Sequence, residues 1–257
     1  MDTPDNRKAG LDGLTDAKAI PVHPAVEALK HRPAPDFSDM VRDNQTPKRP
    51  LFVAICIPHS RHTIFSDVAF ALITVSCPPG VGRSISTSDI QPISQARNFM
   101  VAEALKNPRV THILMLEPDV EINPGALHEI LSPLAGDPDI ISCPVFGPYP
   151  PYESNAFTCA AGGIMATHHF TVEDHRYIDL DSTGPGCVMF KRKCFDQTKP
   201  LWFEEAADRK SSDVREFTGY FAREGWKVKA SSKCFCNIIS TQKVGHEYRR
   251  QYIKASE

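Results

Sequence analysis

The segment LFVAICI, residues 51–57, is an unbroken apolar run rich in β-formers. A strand with one wet face alternates polar and apolar residues. A continuous run must be covered on both faces, as in a sheet sandwiched between helices. Two further runs, THILML (111–116) and DIISCPV (139–145), carry the same signature, and RSISTS (83–88) is a short strand candidate. Helical patterns lie between them: HTIFSDVAFALITV (62–75), SQARNFMVAEALK (94–106) and ALHEILSPL (126–134). The second places Ala96, Phe99, Met100, Ala104 and Leu105 along one side. Strands alternating with helices predict an α/β domain with a mostly parallel sheet and helices on both faces.

The pattern is regular to about residue 146 and then loosens. AAGGIMATH and HRYIDL read as strands of a smaller sheet, and GPGCVMFKRKCF as a strand followed by a short helix. SDVREFTGYFAREG reads as a helix ended by Gly225, and WKVKAS as a strand. Residues 1–48 differ in texture. Seven prolines fall in the first fifty positions, and apart from one short helix candidate, VHPAVEALKHRP, the stretch reads as a flexible arm. The expected division is an arm, 1–48, and one domain, 49–257.

Charge is nearly balanced, 29 basic against 31 acidic side chains, so no global field grips nucleic acid. No apolar run approaches the roughly 18 residues of a membrane helix, and the N-terminus lacks the apolar core of a signal peptide. A cytoplasmic protein without membrane insertion is expected. Six of the eight cysteines, Cys56, Cys77, Cys143, Cys159, Cys187 and Cys194, sit singly in apolar surroundings, as buried free thiols do. Cys234 and Cys236 form a C-x-C, and the absence of any C-x-x-C argues against a zinc ribbon.

The strand at 111–116 ends in Glu117, Pro118 and Asp119. Ligands on open α/β sheets gather at the carboxyl ends of parallel strands. In an extended E-P-D, alternate side chains share a face, so both carboxylates point one way. Neighbouring carboxylates repel unless one is protonated or a cation lies between them. Oxygen ligands favour magnesium, calcium or manganese. The competing reading is a solvated turn before a helix. Asn123 before Pro124 already serves as a plausible N-cap, which leaves both acids without that duty.

ISQARNFMVAEALKNPRVTHILMLEPDVEINPGALHEIL resembles the central stretch of GT-A glycosyltransferases of the family 2 type: an Ala-Arg-Asn helix, a strand ending in Asp-x-Asp, and a proline opening a helix. STGPGCVMFKRKCFDQ resembles that family's Gly-x-Gly segment, through Gly184 and Gly186. SDVREFTGYFAREGWKV resembles its acidic helix. The likeness runs from about 51 to 247 in the same order. It implies a GT-A fold with a smaller acceptor-side sheet, and transfer of a sugar from a nucleoside diphosphate donor, most often UDP, to a hydroxyl. It implies Mn2+ or Mg2+ held by Asp119, with Glu117 on ribose or a metal-bound water. Glu where the family has Asp is a departure, and makes Asp119 the firmer of the two. His246, in KVGHEY, matches the C-terminal histidine that completes the metal site in many members. Arg97 matches the Ala-Arg-Asn arginine expected at the donor, and Lys191 is a second basic helper. The nucleotide is expected against Pro58, His59 and Ser60 after the first strand, with Asp89 after the second.

An inverting transferase needs a carboxylate to accept the acceptor's proton. The resemblance implies that this base lies at the start of the acidic helix, where Asp213, the only acid between Asp208 and Glu216, is expected to take the role. Its rival duty is helix capping, with Glu216 three residues on. Glu204, Glu205, Asp179 and Asp181 are spare acids, and Trp202 could stack on a sugar or simply pack. Two other classes compete: a sugar nucleotidyltransferase, against which PHSRHTIFS offers no glycine-rich phosphate loop, and a catalytically inactive GT-A-like binding protein. The acceptor could be a glycan, a small molecule, a protein or a hydroxylated base in phage DNA.

Overall fold

The computed structural model describes residues 50–59, 65–147, 151–160, 165–171, 174–204, 212–239 and 243–244. Ser60, Glu205, His246, the helix candidate at 22–33 and the basic tail lie outside them.

The first half alternates as expected: β1 (Phe52–Pro58), α1 (Ser66–Thr74), β2 (Gly82–Ser88), α2 (Ile93–Leu105), β3 (His112–Leu116), β4 (Val120–Glu121), α3 (Ala126–Ile130) and β5 (Ile140–Ser142). The second half holds short strands β6 (Ala156–Cys159), β7 (Met165–Thr167), β8 (Tyr177–Asp179), β9 (Ser182–Thr183) and β10 (Cys187–Lys191). Then follow α4 (Lys193–Asp196), α5 (Asp213–Arg223), β11 (Val228–Ser231), β12 (Asn237–Ile239) and β13 (Lys243–Val244).

Seven strands form the main sheet in the order β2-β1-β3-β10-β5-β11-β8. β2, β1 and β3 run parallel. β10 is antiparallel to both β3 and β5, and β8 is antiparallel to β11, which is parallel to β5. All strands but β10 and β8 therefore point one way. HRYIDL, expected in a smaller sheet, supplies an edge strand of the main one. The two small sheets are β13-β12-β4 and β7-β6-β9.

The period-two geometry of β1 divides the core. Val53, Ile55 and Ile57 face one side, packed with Val68, Ala71 and Leu72 of α1. Ala54 and Cys56 face the other, packed with Met100 and Val101 of α2 and with Phe217 and Phe221 of α5. This is why LFVAICI carries no polar residue. α2 is built from strong helix formers, but its buried side is Ser94, Ala96, Arg97, Met100 and Val101. Phe99, expected inside, is 47% exposed, and an arginine takes a place on the inner face.

α3 is shorter than ALHEILSPL suggests. Asn123 does not cap it; its Oδ1 accepts from the N–H of Gly125 at 2.9 Å, closing a turn, and Gly125 is the N-cap. A separate 3-10 turn follows at Pro133–Ala135. α5 is capped by Ser212, whose Oγ accepts from the Arg215 N–H at 3.1 Å. It ends near Gly225, where φ is +80°. Phe217 stacks on Phe195 at 5.6 Å between ring centres and packs against Phe190 and Phe203. That aromatic layer fixes the helix and so places its first residue, Asp213.

Candidate active site

The parallel strands β1, β2 and β3 end together. Pro58 lies beside Ser88 in the register, and Cys56 beside Met115, so His59, Asp89 and Glu117 follow neighbouring strand ends. The His59 N–H donates to the Ser88 carbonyl at 2.8 Å. Gln91 ties the two loops together, its Nε2 donating to the carbonyls of His59 and Asp89 at 3.3 and 3.4 Å. Pro58 and His59 are buried, and Asp89 is exposed.

β10 closes the third side. Cys187 pairs with Leu116, and the Glu117 N–H donates to the Gly186 carbonyl at 2.9 Å. Gly186 has φ +144°, and a Cβ there would lie 2.7 Å from Val145 Cγ2 and 3.0 Å from Asn155 Nδ2. Only glycine takes this backbone conformation with Val145 and Asn155 packed so near.

Arg97 organises the centre. It is 3% exposed. Its Nη2 donates to Glu117 Oε1 at 2.6 Å, and its Nη1 lies 2.6 Å from both oxygens of Asp213. Asp213 Oδ1 also accepts from the Val214 N–H at 2.8 Å. One guanidinium thus joins an acid from a strand end to an acid from a helix start. Arg97 Nε is buried without a partner among the described residues. Burial pushes the Glu117 carboxyl up, against the opposing pull of Arg97.

Asp119 is different. Among the described residues no basic side chain pairs with it, and partial burial pushes its carboxyl up. Its backbone is fixed from the opposite side, where Ile239 N–H donates to the Asp119 carbonyl at 2.7 Å. A partly buried carboxylate with no cationic partner is an oxygen donor suited to a hard divalent ion. Glu117, already the partner of Arg97, is less available for that purpose.

Several sequence-based candidates lie elsewhere. Lys191 faces His112 in the register, at the far end of β3 from Leu116, which is about 13 Å of strand. Its Nζ pairs with Asp137 at 2.7 Å, so it cannot assist chemistry at the acids. A cavity of about 920 Å3 opens at that far end, lined by Phe52, Arg109, His112, Lys191 and Arg192 among others. It sits at the amino ends of β1 and β3, opposite to where ligands of such sheets bind. Asp179 pairs with Lys229 at 3.1 Å, and Asp181 accepts from the Cys159 N–H at 2.6 Å. Trp202 packs edge-on against Phe195, 5.5 Å between centres. Glu204 is exposed.

The sequence offered no sign of the Arg97 clamp, since its two acids lie 20 and 116 residues away along the chain. Of the six thiols expected to be free and buried, Cys56, Cys143, Cys187 and Cys194 are so. Cys159 is exposed and Cys77 half-buried, while Cys143, Cys187, Cys234 and Cys236 are buried together.

No protein-family model matches this chain, and no curated protein matches it in sequence. Solved structures do resemble it. A197 from STIV aligns with a TM-score of 0.53 at 10% identity, over 73% of this chain and 85% of that one. GalNAc-T7, solved with UDP, GalNAc and Mn2+, aligns with a TM-score of 0.53 at 10% identity, over 75% of this chain and 44% of that one. TarS 1-349 from S. aureus gives 0.46 at 10% identity, over 72% and 59%. This chain spans under half of the GalNAc-T7 chain. The fold is the GT-A type of the glycosyltransferases.

Proposed function

We propose that this chain is a metal-dependent glycosyltransferase that moves a sugar from a nucleoside diphosphate sugar, UDP-linked by preference, to a hydroxyl acceptor. The observation that carries the reading is Asp119: an oxygen donor with no basic partner among the described residues, at the carboxyl end of a central parallel strand. The co-crystallised UDP and Mn2+ of GalNAc-T7 belong to that protein, and support the reading by likeness of fold.

Asp119 would hold Mn2+ or Mg2+, joined by His246 from beyond the described residues. When bound, the ion stabilises the negative charge that grows on the departing diphosphate. His59 and Asp89 border the crevice for the nucleotide. Arg97 holds the Glu117 and Asp213 carboxylates at fixed positions. Asp213 is the proposed base. A carboxylate offers about four acceptor directions, so one remains for an acceptor hydroxyl beside Arg97 and Val214.

A second reading is a non-catalytic nucleotide-binding protein of the same fold. It is favoured by one observation, that Arg97 already compensates both Glu117 and Asp213. Calorimetric titration with UDP, GDP and CDP, with and without Mn2+, tests the shared core of both. Binding of one nucleotide only in the presence of metal is expected. No binding by a folded sample would end the donor-site reading, and metal-dependent binding without turnover of any nucleotide sugar would favour the second.

A further inference from the structure

Four cysteines from three separate segments converge behind the candidate active site. Cys143 follows β5, Cys187 opens β10, and Cys234 and Cys236 lie between β11 and β12. The antiparallel register that pairs Val188 with Ser142 continues to Cys187 and Cys143, and the Cys143 N–H donates to the Cys187 carbonyl at 3.0 Å. Directly opposed residues put their side chains on one face, so these two thiols meet. The Cys236 N–H donates to the Pro144 carbonyl at 3.1 Å and delivers a third. The sulfurs of Cys143, Cys187 and Cys236 all lie within 4.8 Å of one another, and all three residues are fully buried. Cys234, held by its N–H on Ser231 Oγ at 3.1 Å, brings its thiol against Cys143 as a fourth.

We propose that Cys143, Cys187, Cys234 and Cys236 form a thiolate site for a zinc-class divalent ion, distinct from the oxygen site at Asp119. Zinc–sulfur bonds of about 2.3 Å in a tetrahedron set the sulfurs about 3.8 Å apart. Mutually close thiols are therefore near the spacing of a ligand shell. Cysteines acting only as small apolar fillers need not face one another. Here three of the chain's eight cysteines do so, and Cys234 adjoins one of them. Soft sulfur donors select zinc over the hard ions that suit Asp119, so the two sites do not compete.

The placement gives the ion a structural task. Cys187 pairs with Leu116, the residue before Glu117. Cys236 precedes β12, which pairs with β4 and whose Ile239 N–H holds the Asp119 carbonyl. A tetrahedral ion would staple β5, β10 and the β12 segment together directly beneath both acids.

The test uses the full-length protein, purified reduced and without chelator. Metal content by mass spectrometry should give about one zinc per chain. After mild removal, Co2+ titration should give thiolate charge-transfer absorption and the intense visible bands of tetrahedral cobalt, saturating at about one equivalent. Cys143→Ser and Cys236→Ser should reduce that signal at least tenfold. Cys56→Ser and Cys194→Ser, buried cysteines outside the cluster, should keep it. A folded, reduced wild-type protein that carries no zinc and develops no cobalt–thiolate bands would overturn the proposal whatever the variants do. An intact mass lowered by disulfide formation among these four residues would overturn it too.

Discussion

Arg97 Nη1 lies 2.6 Å from both carboxylate oxygens of Asp213, a residue 116 positions further along the chain. Its other terminal nitrogen holds Glu117 at 2.6 Å. The pairing is almost dry, with the Arg97 and Asp213 side chains 4% and 7% exposed. It couples the folding of α2, the end of β3 and the start of α5 to one guanidinium.

Replacing that guanidinium should leave two enclosed carboxylates uncompensated. Arg97→Met is expected to lower stability by about 3–5 kcal/mol near neutral pH. The loss should shrink in acid. Burial already raises the Glu117 carboxyl, and removing Arg97 raises it further. A raised folded-state value means that the folded chain gains stability from protonation as pH falls through it. Urea melts at pH 8 and pH 5 measure this, and an equal loss at both would contradict the electrostatic account.

Asp119→Ala should remove metal-dependent donor binding, on the order of 100-fold or more, with little effect on the thermal midpoint. Calorimetry with UDP and Mn2+ reads the first and a thermal melt the second. Unchanged metal-dependent affinity in the variant would discard Asp119 as the ligand.

Asp213→Asn keeps the size of the side chain and one acceptor oxygen for Arg97. If Asp213 is the base, donor affinity should persist while transfer falls by about 100-fold or more. Transfer at the wild-type rate would return Asp213 to a purely positional role beside Arg97.

His112 sits at the far end of β3, where burial and the nearby charge of Lys191 push its imidazole down to about 4. The unfolded chain titrates near 6.5. Between those values the unfolded state binds the extra proton, so stability should fall as pH drops from about 6.5 to 4, by up to ~3 kcal/mol. His112→Gln should flatten that part of the stability curve, and an unchanged slope would assign it to other groups.

β1 and β3 were legible because burial on two faces excludes polar residues, and LFVAICI and the ILML of THILML obey that rule. What pairs with what was not. KRKCF follows a strand that runs against its neighbours, so Lys191 points to the end away from the acids, although its place in the sequence suggested a role near them. Arg97 was expected at the donor by resemblance, with a solvated helix charge as the rival reading, and neither anticipated the burial that Asp213 and Glu117 explain. The four converging thiols escaped notice for the same reason, because opposition across β5 and β10 leaves no spacing in the chain. Asp119 was legible in its position at a strand end, and its want of a basic partner among the described residues was not.

The position of β10 in the sheet also sets an order of events. β3 and β5 flank it but do not pair with each other, so β5 joins the β2-β1-β3 part only once residues 187–191 have left the ribosome, and β8 joins later, through β11. Until then β3 presents an unpaired edge in the middle of the future molecule, open to association with other chains. The Gly186 carbonyl and Asp213, which seat Glu117 and Arg97, also come well after the strand and helix that carry those two residues. A chain stopped before Cys187 would hold the acids without their setting, and should collect as aggregate rather than as a smaller working protein.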